Sequence, residues 1–396
     1  MKTLTIYLTG SCNLRCKHCS VGLDQYKVRQ ELPDRHILKI LDRAAERGVR
    51  FVTFLGGEPA TAPQDLERIC AHAHELGLAL SFNTNLVELA RIEALLKYPS
   101  VKNIVVSLDG ASAPVHDQIR GTHTFEKTTK NIAILLAQIR TRDLDVAIDL
   151  TFALSKMNQC DSVAIVKLAV ELGVNGLNIN IVQPIGRARQ FAAQVQGDGR
   201  RYLDAIAQAI AYFVLAKPAL TLSIPLAPMV SEYLSETYRV PASLFENDAA
   251  CGGTSVYTYV DLKGNLLPCP GYSFEEAQND HMNRQHSHLS IVDWPIRDIE
   301  NTQIFRSFEA NRKSRSKNTL FHPCNRCRFS ATCSPCISSY YKNAENHQIF
   351  LCAQVHDLIN AEAAHGPETT QKQHTGQRRW VCATDPRGGS PNDVTS

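Results

Sequence analysis

Three cysteines near the start of the chain have the types and spacing for metal chemistry. Cys12, Cys16 and Cys19 are spaced C-x3-C-x2-C and follow a short apolar segment at 4–8. Thiolates are soft ligands that suit iron–sulfur clusters. Three of them can hold three corners of a four-iron cube, which leaves the fourth iron open for chemistry. A zinc knuckle is the alternative, but such sites usually pair two C-x2-C units, and no second pair lies nearby.

A glycine pair and a carboxylate form the next group of interest. Gly56, Gly57 and Glu58 directly follow an apolar run at 51–55, and Pro59 comes next. Glycines let backbone approach a ligand closely. Their carbonyls and the Glu58 carboxylate could accept hydrogen bonds from a cationic amine, and such charge-assisted bonds are strong. The alternative interpretation is a tight turn with an exposed acid.

The elements that must position these residues alternate between strand and helix. Apolar runs predict six strands, at 4–8, 51–55, 78–82, 104–108, 146–152 and 177–181. Periodic apolar stripes predict helices between them, among others at 34–47, 87–97, 125–139 and 162–172. Repeated strand–helix units imply a parallel sheet with right-handed crossovers. We therefore predict an α/β fold, an open partial (β/α)6 barrel, whose functional residues lie on the loops after the strands.

The C-terminal half contains a second group of cysteines. It comprises Cys251, Cys269, Cys324, Cys327, Cys333, Cys336 and Cys352. Strand-like segments at 256–262 and 266–268 flank Lys263-Gly264-Asn265, which predicts a hairpin. For the four cysteines between 324 and 336 alone, zinc and iron–sulfur ligation both remain open. The tail at 366–396 has too little apolar content to bury and is predicted to be disordered.

Size, charge and compartment narrow the function classes. The chain has 396 residues, more than a single core usually accommodates. We predict a barrel at 1–190, a bridge region at 191–250, a cysteine-rich domain at 251–355 and the tail. The net charge of +3 gives no strong field for nucleic acid or a membrane. No export signal accompanies the 13 cysteines, so we place the protein in a reducing cytoplasm.

Two further phrases complete a family resemblance. Ser107-Leu108-Asp109-Gly110 follows the fourth predicted strand, and His116-Asp117-Gln118-Ile119-Arg120-Gly121 comes shortly after it. With the two cysteine groups and Gly56-Gly57-Glu58-Pro59, these motifs resemble the radical SAM superfamily, and within it the SPASM-domain peptide maturases. The resemblance covers residues 1 to about 355. It implies an enzyme that reductively cleaves S-adenosylmethionine and uses the 5′-deoxyadenosyl radical to modify, above all to crosslink, a ribosomally synthesised precursor peptide.

The resemblance also assigns roles around the first cluster. Cys12, Cys16 and Cys19 would hold a catalytic [4Fe-4S] cluster. The residues implied to contact S-adenosylmethionine are Gly56, Gly57, Glu58, Asn83, Ser107, Arg120 and Val182. Arg120 would pair with the cofactor carboxylate, because a guanidinium fits a carboxylate bidentately. A surface salt bridge with Asp117 is the alternative for Arg120. Leu86 stands where the family often has glycine.

The same resemblance implies two auxiliary [4Fe-4S] clusters. The nearer would be bound by Cys251, Cys269 and Cys336, and the farther by Cys324, Cys327, Cys333 and Cys352. Cys336 departs from the family spacing, and no cysteine lies between Cys251 and Cys269. We therefore expect three cysteine ligands on the nearer cluster, with Asp261 a candidate for the fourth position. Pro270 stands where sulfatase maturases have an aspartate base, which argues against that activity.

Partners and competing functions follow from this assignment. The loop that begins at Ser11 and carries Cys12, Cys16 and Cys19 comes too early to leave room for an N-terminal leader-binding domain. We therefore expect a separate leader-binding protein or capture by the barrel surface. An electron donor such as flavodoxin or ferredoxin is a further expected partner, with no nucleic acid and no membrane. Radical modification of a small molecule or tetrapyrrole is the alternative enzyme function. A non-enzymatic metal-binding scaffold is the alternative outside catalysis.

Overall fold

The computed structural model describes most of the barrel and part of the C-terminal half. The described residues are 2–20, 31–241, 253–254, 257–269, 289–313, 323–331, 333 and 347–365. Two predicted ligands, Cys251 and Cys336, and the predicted tail at 366–396 lie outside these residues. Among the described residues, no helix has both the length and the apolar character that crossing a bilayer requires.

A nine-stranded sheet organises this part of the chain. Its strands are β1 (Thr3–Tyr7), β2 (Phe51–Leu55), β3 (Ala79–Thr84), β4 (Val101–Ser107), β5 (Ala147–Leu154), β6 (Gly176–Ile181), β7 (Thr221–Ser223), β8 (Tyr257–Val260) and β9 (Leu266–Leu267). The spatial order is β7-β6-β5-β4-β3-β2-β1-β8-β9. All neighbouring strands are parallel except β8 and β9. The predicted α/β fold with a partial parallel barrel is confirmed, and β7 adds a seventh parallel strand.

Helices follow the strands and cover one side of the sheet. They are α1 (Asp34–Glu46), α2 (Leu66–Glu75), α3 (Ala90–Leu95), α4 (Ala113–Arg120), α5 (Thr124–Thr141), α6 (Ser162–Leu172), α7 (Ala192–Val195), α8 (Gly199–Ala216), α9 (Pro228–Tyr238), α10 (Ile296–Glu300), α11 (Gln303–Lys313) and α12 (His347–His365). Sequence periodicity missed α4, α7 and α9, and in the C-terminal half also α10, α11 and α12. The buried face of α4 includes His116 and Arg120, so it carries no apolar stripe. Pro228 opens α9 at a position where proline favours a helix start.

Alternation along the strands gives the sheet two chemically different faces. Residues such as Leu4, Ile6, Phe54 and Phe82 are fully buried in the core shared with the helices. The intervening positions form what we call the inner face of the partial barrel. It includes Thr5, Tyr7, Thr53, Ser81, Asn83, Asn103, Val105, Ser107, Asp149, Thr151, Ala153, Asn178 and Asn180. Hydroxyl and amide groups predominate on this face.

The predicted hairpin of the C-terminal half is confirmed as β8 and β9, and it joins the barrel sheet. β8 runs parallel to β1, with Thr3 opposite Tyr257 and Ile6 opposite Val260. Asp261 accepts hydrogen bonds from the backbone N–H groups of Lys263 (2.9 Å) and Asn265 (2.8 Å) in the hairpin turn. The Asp261 carboxylate is therefore engaged in the turn, which weakens its candidacy as a cluster ligand.

Candidate active site

The loop at 11–19, here the cluster loop, leaves the carboxyl end of β1 and is tied to four other segments. Its cysteines are half-buried. The bonds that hold it run from Glu58 N to Ser11 O (2.9 Å), from Asn85 Nδ2 to Asn13 Oδ1 (2.8 Å), from Lys17 N to Ile119 O (3.0 Å) and from Ala188 N to Cys19 O (3.0 Å). Because these partners follow β2, β3, β4 and β6, the barrel rim itself fixes the loop.

The glycine pair is needed for this packing. A Cβ on Gly57 would lie 1.9 Å from the backbone oxygen of Ser11, and one on Gly56 would lie 2.6 Å from that of Thr9. Gly57 N also donates to Thr9 O at 2.7 Å. Such distances exclude any side chain without backbone movement. The close approach that the glycines permit is therefore, first of all, an approach to the start of the cluster loop.

The three thiols of the cluster loop lie near one another. Burial raises the pKa of Cys16 to about 12, and negative charge on Cys19 and Cys12 adds to the shift although Arg120 opposes it. Burial also raises the pKa of Cys12 to about 11, against an N–H···S bond from Leu14 (3.4 Å). Metal binding must displace these protons, as it does at thiolate sites generally. Ligands of a cluster bind different irons, so they need not converge on one point.

Glu58 is buried and makes several hydrogen bonds. It is 1% exposed, and its carboxylate accepts bonds from Ala60 N (2.9 Å), Thr84 Oγ1 (2.6 Å) and Asn85 N (2.7 Å). Burial raises the pKa of Glu58, while these hydrogen bonds oppose the shift. The alternative of an exposed acid in a turn is wrong. Glu58 thus connects the end of β3 to the loop after β2. A ligand that binds the Glu58 carboxylate must share it with these three donors.

Leu86 takes the backbone conformation that the glycine often found there would allow. Its φ is +52°, in the left-handed region, which costs a residue with a Cβ roughly 1–2 kcal/mol. Its side chain is fully buried, and Asn131 Nδ2 donates to its carbonyl at 2.9 Å. Burying a leucine contributes about 1.5–3 kcal/mol, enough to offset that cost.

Asp109 is the centre of a buried polar network that the sequence did not reveal. It is 0% exposed and follows β4. Its carboxylate accepts hydrogen bonds from Arg120 Nε, from Ala153 N (2.8 Å) and, at 3.1 Å, pairs with His18 Nε2. Burial alone would raise the pKa of Asp109, but the charges of Arg120 and His18 hold it well below its usual range. This carboxylate therefore links the cluster loop, α4 and β5.

His116 sits on the other side of the same network as a neutral imidazole. The backbone N–H of Asp109 donates to His116 Nδ1 at 3.1 Å, so this nitrogen carries a lone pair. Burial and then the Arg120 charge lower the pKa of His116 to about 4. His116 thereby completes the support of Asp109 from α4 without adding a charge.

Arg120 is presented toward the cluster loop by Asp109. It is 9% exposed, and within the described residues its guanidinium has no hydrogen-bond partner besides Asp109. Asp117 instead caps α5, accepting from His123 N (2.7 Å) and Phe125 N (2.8 Å). The alternative of a surface pair between Arg120 and Asp117 is therefore wrong. With Nε on Asp109, the terminal nitrogens of Arg120 are left for a carboxylate ligand.

The remaining predicted contacts also lie toward the carboxyl ends of strands. Asn83 is on β3 opposite Val105, and Ser107 ends β4 opposite Thr151. Val182 follows β6, donates its N–H to Leu154 O (2.9 Å) and packs in a small apolar cluster with Ala188 and Val195. Polar and apolar groups thus surround one rim.

The second cysteine group is only partly described, but its described members gather. Burial, and then charge on Cys324, Cys333 and Cys327, raise the pKa of Cys352, so these four thiols lie near one another. Cys269 follows β9 and lies near Tyr7 on the inner face. Burial, and then charge on Cys19 and Cys269, raise the pKa of this half-buried tyrosine. Within the described residues, no three metal-binding side chains converge on a single ion.

Comparison with protein families agrees with this geometry. Residues 6–169 match the radical SAM superfamily, a span that contains the cluster loop, Glu58, Ser107 and Arg120. The chain contains a radical SAM domain. Such a domain binds S-adenosylmethionine at a [4Fe-4S] cluster, and the three thiols with the adjoining guanidinium fit both groups.

Relatives of this radical SAM chain include proteins of two kinds. It is 27% identical over 345 residues to the AdoMet-dependent heme synthase of Methanosarcina barkeri, covering 84% of this chain and 90% of that protein. It is 24% identical over 332 residues to the PqqA peptide cyclase of Bradyrhizobium diazoefficiens, covering 81% and 77%. Streptococcus suis SuiB bound to its precursor peptide SuiA shares the fold, with a TM-score of 0.65 and 15% identity, covering 88% of this chain and 75% of SuiB.

Proposed function

We propose that this radical SAM enzyme modifies a ribosomally synthesised precursor peptide, most directly by crosslinking it. The observation that carries the proposal is the chemistry of the inner face. Lys102 is the single lysine or arginine among the described strand residues. Its Nζ forms an ion pair with Asp145 Oδ2 (2.6 Å) at the amino end of the strands. Amide and hydroxyl groups suit a peptide, whose backbone offers N–H and C=O groups. A polycarboxylate substrate would instead need cations here.

Two similarities support a peptide substrate. The PqqA peptide cyclase matches most of this chain, and SuiB, which shares the fold, binds a precursor peptide. A separate leader-binding protein would present that peptide, and flavodoxin or ferredoxin would supply the electron. When bound, the reduced cluster and its cofactor supply the 5′-deoxyadenosyl radical.

The residues of the rim have distinct parts in this proposal. Cys12, Cys16 and Cys19 hold the catalytic cluster, and Arg120 pairs with the cofactor carboxylate. Cofactor contacts come also from Gly56, Gly57, Glu58, Asn83, Ser107 and Val182. The rim thus orients the cofactor above the inner face, where the peptide lies shielded from bulk water.

Auxiliary clusters complete the proposal. The gathered thiols of Cys324, Cys327, Cys333 and Cys352 would hold one [4Fe-4S] cluster. Cys251, Cys269 and Cys336 would hold the other with an open fourth position. Forming a crosslink removes two hydrogens from the peptide, so an electron remains after the radical step, and these clusters can accept it.

Tetrapyrrole chemistry is the second candidate. The similarity to the M. barkeri heme synthase, which extends over 84% of this chain, favours it. The inner face argues against tetrapyrrole chemistry, because the described strands carry no unpaired cation that could bind a polycarboxylate. The two candidates differ in the charge of their substrates, which makes them separable by experiment.

Arg120→Lys should weaken binding of S-adenosylmethionine by about 1–3 kcal/mol, the range for hydrogen bonds to charged groups. Lysine keeps the charge but loses both the Nε bond to Asp109 and the planar pair of terminal donors. Calorimetry on the anaerobic, cluster-loaded protein measures the change. Arg142→Lys, on an exposed residue after α5, is the control. Equal affinity for the Arg120 variant and the wild type would contradict the carboxylate assignment.

Co-expression with a precursor peptide encoded beside this gene tests the proposed function. We expect the peptide to lose two hydrogens in mass spectrometry when the wild-type enzyme is present. A variant lacking Cys12, Cys16 and Cys19 should leave the mass unchanged. If every neighbouring peptide stays unmodified while a tetracarboxylate porphyrin is converted, the tetrapyrrole function replaces the peptide function.

A further inference from the structure

Asp149 and Asn103 form an unusual pair on the inner face, here called the acceptor pair. Asn103 Nδ2 donates to Asp149 Oδ2 at 2.8 Å. The Asp149 carboxylate is half-buried, and among the described residues it has no other hydrogen-bond or ion-pair partner. A carboxylate inside a protein normally has a counter-charge or several donors, because desolvating it alone is costly.

The geometry of the pair fixes which atoms remain available. An ionised carboxylate only accepts hydrogen bonds, so the amide group of Asn103 that meets it must be the NH2. Asn103 Oδ1 is then the other end of the amide, and it is buried without a partner in the described structure. One carboxylate oxygen is thus left as an acceptor, and beside it lies a buried amide oxygen that lacks a donor in the described structure.

The two residues directly opposite Asp149 offer it no donor side chain. Val105 and Gly176 lie opposite Asp149 on the adjacent strands. A Cβ on Gly176 would come within 2.5 Å of Asp149 Oδ1. Because residue 176 has no side chain, the Asp149 carboxylate can lie over β6.

The acceptor pair is also well placed relative to the cofactor rim. Ser107 and Thr151 are opposite each other, and Thr151 is two residues beyond Asp149 on the same strand. Two residues of strand span about 7 Å. A group held at Asp149 therefore places the atoms attached to it beneath the rim.

We propose that the acceptor pair binds the ammonium or guanidinium group of a lysine or arginine side chain in the substrate peptide. This deepens the proposed peptide function and rests on it. Two acceptors without a donor match a cation that has several N–H groups, and a hydrogen bond between charged partners is stronger than one between neutral partners. A glutamate at the same peptide position is repelled. The pair thus anchors the peptide by a basic residue next to the site of hydrogen abstraction.

The test is a competition for binding that needs no turnover. Full-length, cluster-loaded protein with S-adenosylmethionine is offered four acetylated, amidated heptapeptides that differ only in a central Lys, Arg, Gln or Glu. The bound fraction is measured by mass spectrometry. We expect the Lys and Arg peptides to be enriched about tenfold over Gln, with Glu lowest. Asp149→Asn should abolish the enrichment, and Gly176→Ala should reduce it by displacing the carboxylate.

Asp145→Asn is the matched control, because Asp145 lies just before the same strand, is 92% exposed and pairs with Lys102. It should keep the preference. Melting temperatures verify that each variant is folded. Equal binding of the four peptides by the wild type, or a preference that survives both Asp149→Asn and Gly176→Ala, would overturn the proposal. A clear basic preference together with failed peptide modification would reject the proposed function while keeping the cation site.

Discussion

Replacing Cys12, Cys16 and Cys19 together by alanine should abolish 5′-deoxyadenosine formation under reducing, anaerobic conditions. The three thiols lie near one another on a loop that four segments of the rim hold in place. Removing them leaves no soft ligand on this loop, so one cluster's iron should disappear as well. Iron and sulfide content, with product measured by chromatography, report both effects.

Cys70→Ala is the matched control for this variant. Cys70 is fully buried in the apolar core on α2. Its loss removes a thiol without touching the rim. We expect full iron content and normal cofactor cleavage from it. Undiminished cleavage by the triple variant would instead refute the assignment of the catalytic cluster.

Asp109→Asn should both destabilise the fold and impair cofactor binding. The change leaves the buried Arg120 guanidinium without a counter-charge, and breaking a buried pair in this way costs about 3–5 kcal/mol. It also releases the two side chains that Asp109 positions, Arg120 on α4 and His18 on the cluster loop. Urea unfolding and calorimetry with S-adenosylmethionine measure the two effects separately.

Asp117→Asn is the control that separates the specific role of Asp109 from the general effect of removing a carboxylate near α4. Asp117 is a carboxylate on the same helix, but it caps α5 and does not contact Arg120. Asparagine keeps one acceptor oxygen and loses the other, so this variant should lower the free energy of unfolding by about 1 kcal/mol and bind cofactor normally. Equal effects of the Asp109 and Asp117 substitutions would show that Asp109 has no special role in positioning Arg120.

Local sequence patterns were sufficient for most strands and helices of the barrel. The strand predicted at 51–55 and the helix predicted at 162–172 coincide with β2 and α6. These elements have strong apolar periodicity, and glycine closes the helix with a φ of +74°. The cluster loop was equally visible, because its ligands are close together in sequence.

Long-range polar contacts could not be predicted in the same way. Asp109 looked like part of a family phrase, and nothing local indicates that His18, Ala153 and Arg120 converge on it. The polar buried face of α4 hid a helix for the same reason. Asp149 stood within an apolar-looking strand, and only the register with Asn103 and Gly176 shows what surrounds it.

The parallel pairing of β8 with β1 has a consequence for biosynthesis. β1 lies between β2 and β8, so its second edge stays open until residues 257–260 have been translated. Until then an apolar strand with Leu4 and Ile6 presents unpaired backbone groups, which is a known route to aggregation. The cluster loop leaves the carboxyl end of this same strand. We therefore expect iron–sulfur loading of the loop to follow translation of residues 257–260.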